Sequence, residues 1–189
     1  MKKIHFNRKR VLKDLVEAME WDRKMAEQGD PNAQVSQGVC YKNGDGVTKD
    51  SKKAVEWFRK AAAQGNVVAQ CLLGVCYADG DGVKKNLKKA AKWFSKAAKQ
   101  GKVNPQCTRY AQFILGVYYQ NGTGVTKDLK KATGWYLKAA KQGYSDAQYN
   151  LGIFYQNGEG VAKDLNKAAE WFRKAADRRL LTSIKETSI

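Results

Sequence analysis

The chain has 189 residues, 43% of them apolar, which is enough for one domain or a short repeat array and too apolar for wholesale disorder. The net charge is +17, so an anionic partner is worth testing, although overall charge reports on association and solubility and does not define a site. One histidine, His5, and four cysteines (Cys40, Cys71, Cys76 and Cys107) with no Cys-x-x-Cys pair argue against triad, Cys-His and metal chemistry. No catalytic residue, metal ligand or cofactor is expected.

The N-terminal segment 1–13 is basic, but no apolar stretch follows its positive end, so it does not read as a secretory signal. No run approaches the ~18 apolar residues of a membrane span. A soluble, reducing, cytoplasmic setting is expected. Arg8-Lys9-Arg10 is too short to weigh as a nucleic-acid signal and reads as a solvated terminus.

From Trp21 onward the chain repeats. The tryptophans Trp21, Trp57, Trp93, Trp135 and Trp171 are spaced 36, 36, 42 and 36 apart, and Gly38, Gly74, Gly116 and Gly152 repeat the last three intervals. Gln-Gly and Ala-Gln pairs recur in the same register. Residues 14–29 read as a capping half-repeat, a second helix without its partner. Four full units follow, at 30–65, 66–101, 102–143 and 144–177, and a short tail occupies 178–189. In the tail, Leu180, Leu181 and Ile184 either cover the exposed end of the last unit or fray.

Each unit reads as helix A, a Gly-rich loop and helix B. In unit two, helix A spans Val67 to about Ala78, the loop is Asp79-Gly80-Asp81-Gly82-Val83, and helix B spans about Lys85 to Lys99. Helix B is amphipathic at ~100° per residue, with Ala90, Trp93, Phe94, Ala97 and Ala98 on one side and lysines on the other. The loop resembles a calcium or phosphate loop only in its glycines. The sister loop Asn121-Gly122-Thr123-Gly124 contains no acid, so the turn explanation wins. Two Asx-Pro pairs read as helix starts: Asp30-Pro31 and Asn104-Pro105. The second lies in the six-residue insertion of unit three and predicts an early start for that helix A, with an extra turn presenting Gln106, Arg109 or Tyr110.

A lone hairpin cannot bury its apolar face, so the fold class is all-α, a solenoid of stacked antiparallel helix pairs. The stretch 147–176, AQYNLGIFYQNGEGVAKDLNKAAEWFRKAA, resembles the Sel1-like repeat family, relatives of the tetratricopeptide repeats. The resemblance covers about residues 14–177. It implies a right-handed, tetratricopeptide-like superhelix acting as an adaptor or scaffold for a protein or peptide partner. One branch of the family braces itself with disulfides from a helix B cysteine. The B helices here carry none, so Cys40 and Cys76 are expected to pack as small apolar groups.

Two surfaces are candidates. Counted from the helix A glycine, positions −5, −4, +1 and +3 barely change between units, whereas −3, −2 and +2 vary. These are Val35, Cys71, Phe113 and Tyr149 at −3; Ser36, Leu72, Ile114 and Asn150 at −2; and Cys40, Cys76, Tyr118 and Phe154 at +2. The −2/+2 stripe is the expected partner groove, nearly uncharged and with aromatic anchors in units three and four. The competing assignment makes −3 and +2 inter-repeat core. The other surface is a basic plate on the B helices and preceding loops of units two and three, where the charge is +5 and +6: Lys85, Lys88, Lys89, Lys92, Lys96 and Lys99, then Lys127, Lys130, Lys131, Lys138 and Lys141. It is either a dock for RNA, an acidic protein or an anionic surface, or a solvated outer face. Lysine in place of arginine, and no aromatic residue interleaved on that face, favour the latter.

Overall fold

The computed structural model describes residues 20–101 and 104–186, with side chains to 177. Segment 1–13 with His5 and Arg8-Lys9-Arg10, the start of the half-repeat (14–19) and the side chains of Leu180, Leu181 and Ile184 lie outside the described residues. Residues 20–27 are helical. Eight further helices follow among the described residues: α1 (Pro31–Asn43), α2 (Ser51–Ala63), α3 (Val67–Asp79), α4 (Leu87–Lys99), α5 (Pro105–Asn121), α6 (Leu129–Lys141), α7 (Ser145–Asn157) and α8 (Leu165–Glu186). Odd-numbered helices are the A helices and even-numbered ones the B helices.

Every A helix packs on the B helix that follows it, and α3, α5 and α7 pack also on the one that precedes them. The hydrophobic clusters therefore straddle units. One joins Ala54, Val55, Phe58, Ala61 and Ala62 of α2 to Ala69, Leu73 and Cys76 of α3; another joins α6 to Ala147, Leu151 and Phe154 of α7. Each B helix leaves apolar surface that only the next A helix covers, and this is why the hairpins stack.

Local chemistry sets the helix ends. Asp50, Asn86, Asp128 and Asp164 accept backbone N–H bonds in the first turn of the B helices, so α4 starts at Leu87, two residues later than its lysines suggest. In unit two, Gly80 ends α3 in the left-handed conformation, at φ 85°, and returns its N–H to Cys76. Gly82, at φ 69°, has a second duty. A Cβ there would collide with the Ser51 carbonyl at the start of α2. The loop glycine is thus a contact between units as well as a turn residue.

The helix A glycines have another cause. A Cβ on Gly74 would lie 2.7 Å from Cε1 of Phe94, and Gly38, Gly116 and Gly152 meet Phe58, Tyr136 and Phe172 in the same way. The aromatic ring of helix B lies flush on the backbone of helix A. Burying such a ring stabilises the hairpin by about 2 kcal/mol.

The insertion behaves as expected at its start. Asn104 caps α5 by accepting from the Cys107 N–H at 3.0 Å, and Pro105 occupies the first helical position. The helix gains four residues over its sisters, 17 against 13, or about 6 Å. Gln106 is exposed, but Arg109 and Tyr110 are half-buried, and Tyr110 sets its ring edge-on to Phe94 at 6.2 Å. The additional turn covers the preceding unit. At the other end, α8 continues through the position of the Gln-Gly stop to Glu186 as one helix.

Candidate partner-binding surface

A glutamine ladder holds the A helices against the array. Gln64 Nε2 donates to Gln34 Oε1 at 3.0 Å and to the Gly29 carbonyl at 2.8 Å. Gln100 does the same to Gln70 and Gly65, at 2.9 and 2.7 Å. Each helix A glutamine in turn donates to the last turn of the preceding B helix, at Ala26, Ala62, Ala98 and Ala140. The recurring Ala-Gln and Gln-Gly pairs signalled these positions, but their meeting across thirty residues is visible only in the fold. In the sequence of the last unit Arg178 takes the place of the next glutamine, and among the described residues Gln148 Oε1 is buried with no hydrogen-bond partner.

With the glycine, −5, −4 and −1 positions packed inward, the outer stripe of each A helix is left to −2, +1 and +5. At −2, Ser36, Leu72, Ile114 and Asn150 are all half-buried. At +1, Val39, Val75, Val117 and Ile153 are half-buried too, although this position barely changes between units. The +2 residues require correction. Cys76, Tyr118 and Phe154 are 2%, 8% and 1% exposed and form core; Cys40 is half-buried. Positions −2 and +2 are one helical turn apart, yet packing buries +2 in units two to four and covers −2 only in part. The rings of Tyr118 and Phe154 stand edge-on to Phe94 and Tyr136, at 5.9 and 5.4 Å.

The −3 residues also turn toward neighbouring packing. Cys71 is buried. Val35 packs against the cluster of α2 and α3. Phe113 stacks between Tyr136 and Tyr144, with ring centroids 5.9 and 5.0 Å away. Tyr149, in the last unit, is 46% exposed and rests on Phe172. Burial pushes the phenols of Tyr118 and Tyr144 up, and that of Tyr136 to about 12. Tyr136 replaces the phenylalanine of the other units, and its buried hydroxyl donates to Gln120 Oε1 at 2.6 Å.

All eleven lysines of the plate are exposed, and among the described residues only Lys131 has an ion pair, to Asp128 at 3.0 Å. That bond raises the Lys131 ammonium above its ordinary range. The expectation that no aromatic residue adjoins this face is overturned. Lys96 and Lys138 lie over the rings of Trp93 and Trp135, at 4.4 and 4.3 Å from the centroids, and Lys60 and Lys174 repeat this on Trp57 and Trp171. Lys89 and Lys131 approach Tyr77 and Tyr119 at 5.4 and 5.6 Å. One helical turn separates each Trp–Lys pair, so the ammonium lies over the face of the half-buried indole. Trp21, on the helical stretch 20–27, is 62% exposed.

Among the described residues no three His, Cys, Asp or Glu side chains gather as a metal site would require, and no helix is long and apolar enough to cross a membrane.

Helical hairpins stacked through a repeated interface, with an open stripe on one helix of each pair, define an α-solenoid of the repeat-scaffold class. The Sel1 repeat family model matches residues 3–30, 31–66, 67–102, 109–144 and 145–179, and the chain belongs to that family. Its members are generally protein–protein interaction scaffolds and typically not enzymes. The chain is similar in structure to c5321, a protective antigen of uropathogenic Escherichia coli strains with an SLR fold (39% identity, TM-score 0.79, 85% of this chain and 33% of that one). It is also similar to a Sel1 repeat protein of Oxalobacter formigenes (35% identity, TM-score 0.77, 87% and 68%) and to Helicobacter pylori cysteine rich protein B (30% identity, TM-score 0.50, 71% and 92%). The chain thus spans about a third of the length of the E. coli antigen. No curated protein matches it significantly in sequence.

Proposed function

We propose that the chain holds a peptide segment of a protein partner along the open stripe of its A helices, centred on Leu72 and Val75 of α3 and Ile114 and Val117 of α5. The observation that carries this reading is the exposure pattern. These four aliphatic side chains stay half-open in adjacent A helices while the neighbouring +2 positions are fully packed. The A helices α3 and α5 also pack directly on each other, which makes the stripe continuous between units two and three. Ser36 and Asn150 extend it at either end with polar groups. Half-buried aliphatic residues on a rigid frame give affinity to apolar anchors at little ordering cost.

The test is selection of binders from a random peptide library, followed by anisotropy with the selected peptides. Leu72→Glu/Ile114→Glu is expected to weaken binding at least tenfold, while Lys88→Glu/Lys92→Glu/Lys130→Glu/Lys131→Glu leaves it within twofold, on the order expected for a hot spot against a rim charge. The reverse outcome moves the site to the plate.

A second reading is favoured by the plate itself, eleven exposed lysines with one ion pair. Such a surface would dock an anionic partner through charge alone, with affinity that falls steeply with salt. Random-sequence RNA and an acidic peptide, titrated across a salt series, test it. No binding at low salt leaves the lysines as a solvating face with indole covers.

A further inference from the structure

All four cysteines carry free thiols, and two of them meet. Cys71 on α3 is 5% exposed. Its thiol donates to the Cys107 carbonyl at 3.3 Å, which brings the two cysteines together. The insertion creates this pair. Cys107 stands on the additional first turn of α5, which the other A helices lack, and that turn lies against α3.

We propose that Cys71 and Cys107 form a redox-sensitive pair that closes to a disulfide when the protein meets a small-molecule disulfide oxidant, stapling α3 to α5 and fixing units two and three against each other. The pairing joins two A helices of neighbouring units and stands independently of the peptide-binding reading.

The closure is two thiol–disulfide exchanges. Cys107, half-buried and the more accessible of the two, attacks one sulfur of the oxidant. The oxidant's S–S bond breaks, one of its halves leaves as a thiol, and the other is bonded to Cys107. Cys71 then attacks the Cys107 sulfur, the mixed S–S bond breaks, and the second half leaves as a thiol. The protein gives up two electrons and two protons, and the oxidant carries both away as two thiols. The local electrostatics assign the same order. Burial raises both thiols, Cys71 to about 12, but contact with the Cys71 thiol opposes that rise at Cys107. Reactants that ionise reluctantly close slowly. Once closed, the bond is also slow to reduce, because Cys71 is a poor leaving group.

The purified full-length chain is incubated with oxidised glutathione and digested without reduction for mass spectrometry. The expected result is one cross-linked peptide pair, Cys71 to Cys107, with Cys40 and Cys76 still open to alkylation. Tm should rise by roughly 5–10 °C, reversibly with dithiothreitol, since the bond closes a long loop in the unfolded chain. Cys71→Ser should arrest the reaction as a glutathione adduct on Cys107, and Cys107→Ser should give neither adduct nor bridge at Cys71. Persistence of all four thiols overturns the proposal. So does a stable adduct on wild-type Cys107, or a bridge involving Cys40 or Cys76. The wild-type digest decides these outcomes, so a variant that fails to fold does not obscure them.

Discussion

Units two and three use the same parts and differ by six residues. In unit two, Gln100 reaches both Gln70 and the Gly65 carbonyl, so one amide joins its own helix A to the end of the preceding unit. In unit three, Gln142 keeps the bond to Gln112, at 2.7 Å, but its other bond goes to Lys138 in its own helix. The lengthened α5 takes over the contact with unit two through Cys107 and Tyr110. The array therefore keeps the bond within the hairpin and exchanges the bond between hairpins. Register is held by the glycine–aromatic contact and the inner glutamine pair, and additional chain is absorbed at the one junction where a helix can lengthen outward.

The sharpest way to break that comparison is to attack what the two units share. Phe94→Ala should cost about 3–5 kcal/mol, because the ring that seats on Gly74 and meets Tyr110 and Tyr118 leaves a cavity. Gly74→Ala, which intrudes on the same ring, should cost about 1–3 kcal/mol, and combining it with Phe94→Leu should recover part of the loss. Urea denaturation measures both. Equal effects of Gly74→Ala with and without the Phe94 change would deny the contact its role.

The ladder gives the next largest effect. Gln70→Leu removes the bonds to Gln100 and to the Ala62 carbonyl and should cost about 1–3 kcal/mol. Gln148→Leu should cost less, because among the described residues Gln148 Oε1 lacks a partner and only the bond to Ala140 is lost. The difference between the two Tm values reads out the missing rung.

Removal of 102–107 turns unit three into a copy of unit two and should change Tm little. Thr108 then stands where Asn66 caps α3, and its hydroxyl, buried without a partner among the described residues, gains the role of helix cap. Gln142 should recover the Gly101 carbonyl, seen as slowed exchange in the last turn of α6 and in a structure of the variant. Collapse of the fold would show that the insertion braces the array.

The smallest effect concerns pH. The Lys131 backbone N–H, and then its ammonium, hold the Asp128 carboxyl below the usual range, and Lys167 does the same for Asp164. Carboxyls depressed in the folded state contribute stability above the ordinary value of ~4 and lose it as pH falls through the folded value. Asp128→Asn keeps a capping oxygen but does not titrate, so the acid limb of the stability curve should become shallower. An unchanged limb would place the titration elsewhere.

The repeat was legible because every unit faces the same packing problem, so the residues that solve it return at fixed intervals: tryptophan, glycine, glutamine and the loop pair. The boundaries of α3 and the Asn104-Pro105 start of α5 were legible for a local reason, since caps act within one turn. The stripe was legible only by half. Variation between units marked −2, +2 and −3 alike. Variation arises at an open surface, and also where two unlike neighbours must fit, as Phe113 fits between Tyr136 and Tyr144. Constancy at +1 was equally ambiguous, because a valine half-covered by its neighbour repeats as faithfully as a buried one. The Trp–Lys pairs were visible as an i, i+3 spacing, but that spacing alone did not say that the ammonium lies over the indole ring.

The sequence by itself determined that this is a stack of helical hairpins, that unit three is longer and that its helix A starts at Asn104-Pro105, because periodicity, capping and turn chemistry are properties of neighbouring residues. Only the tertiary structure decided which helix A residues remain open, that Gln142 gives up Gly101, and that Cys71 and Cys107 share a contact. Those outcomes depend on the distance and angle between successive hairpins. That geometry is settled by the packing of an aromatic ring on a glycine in every unit at once, and no single repeat encodes it.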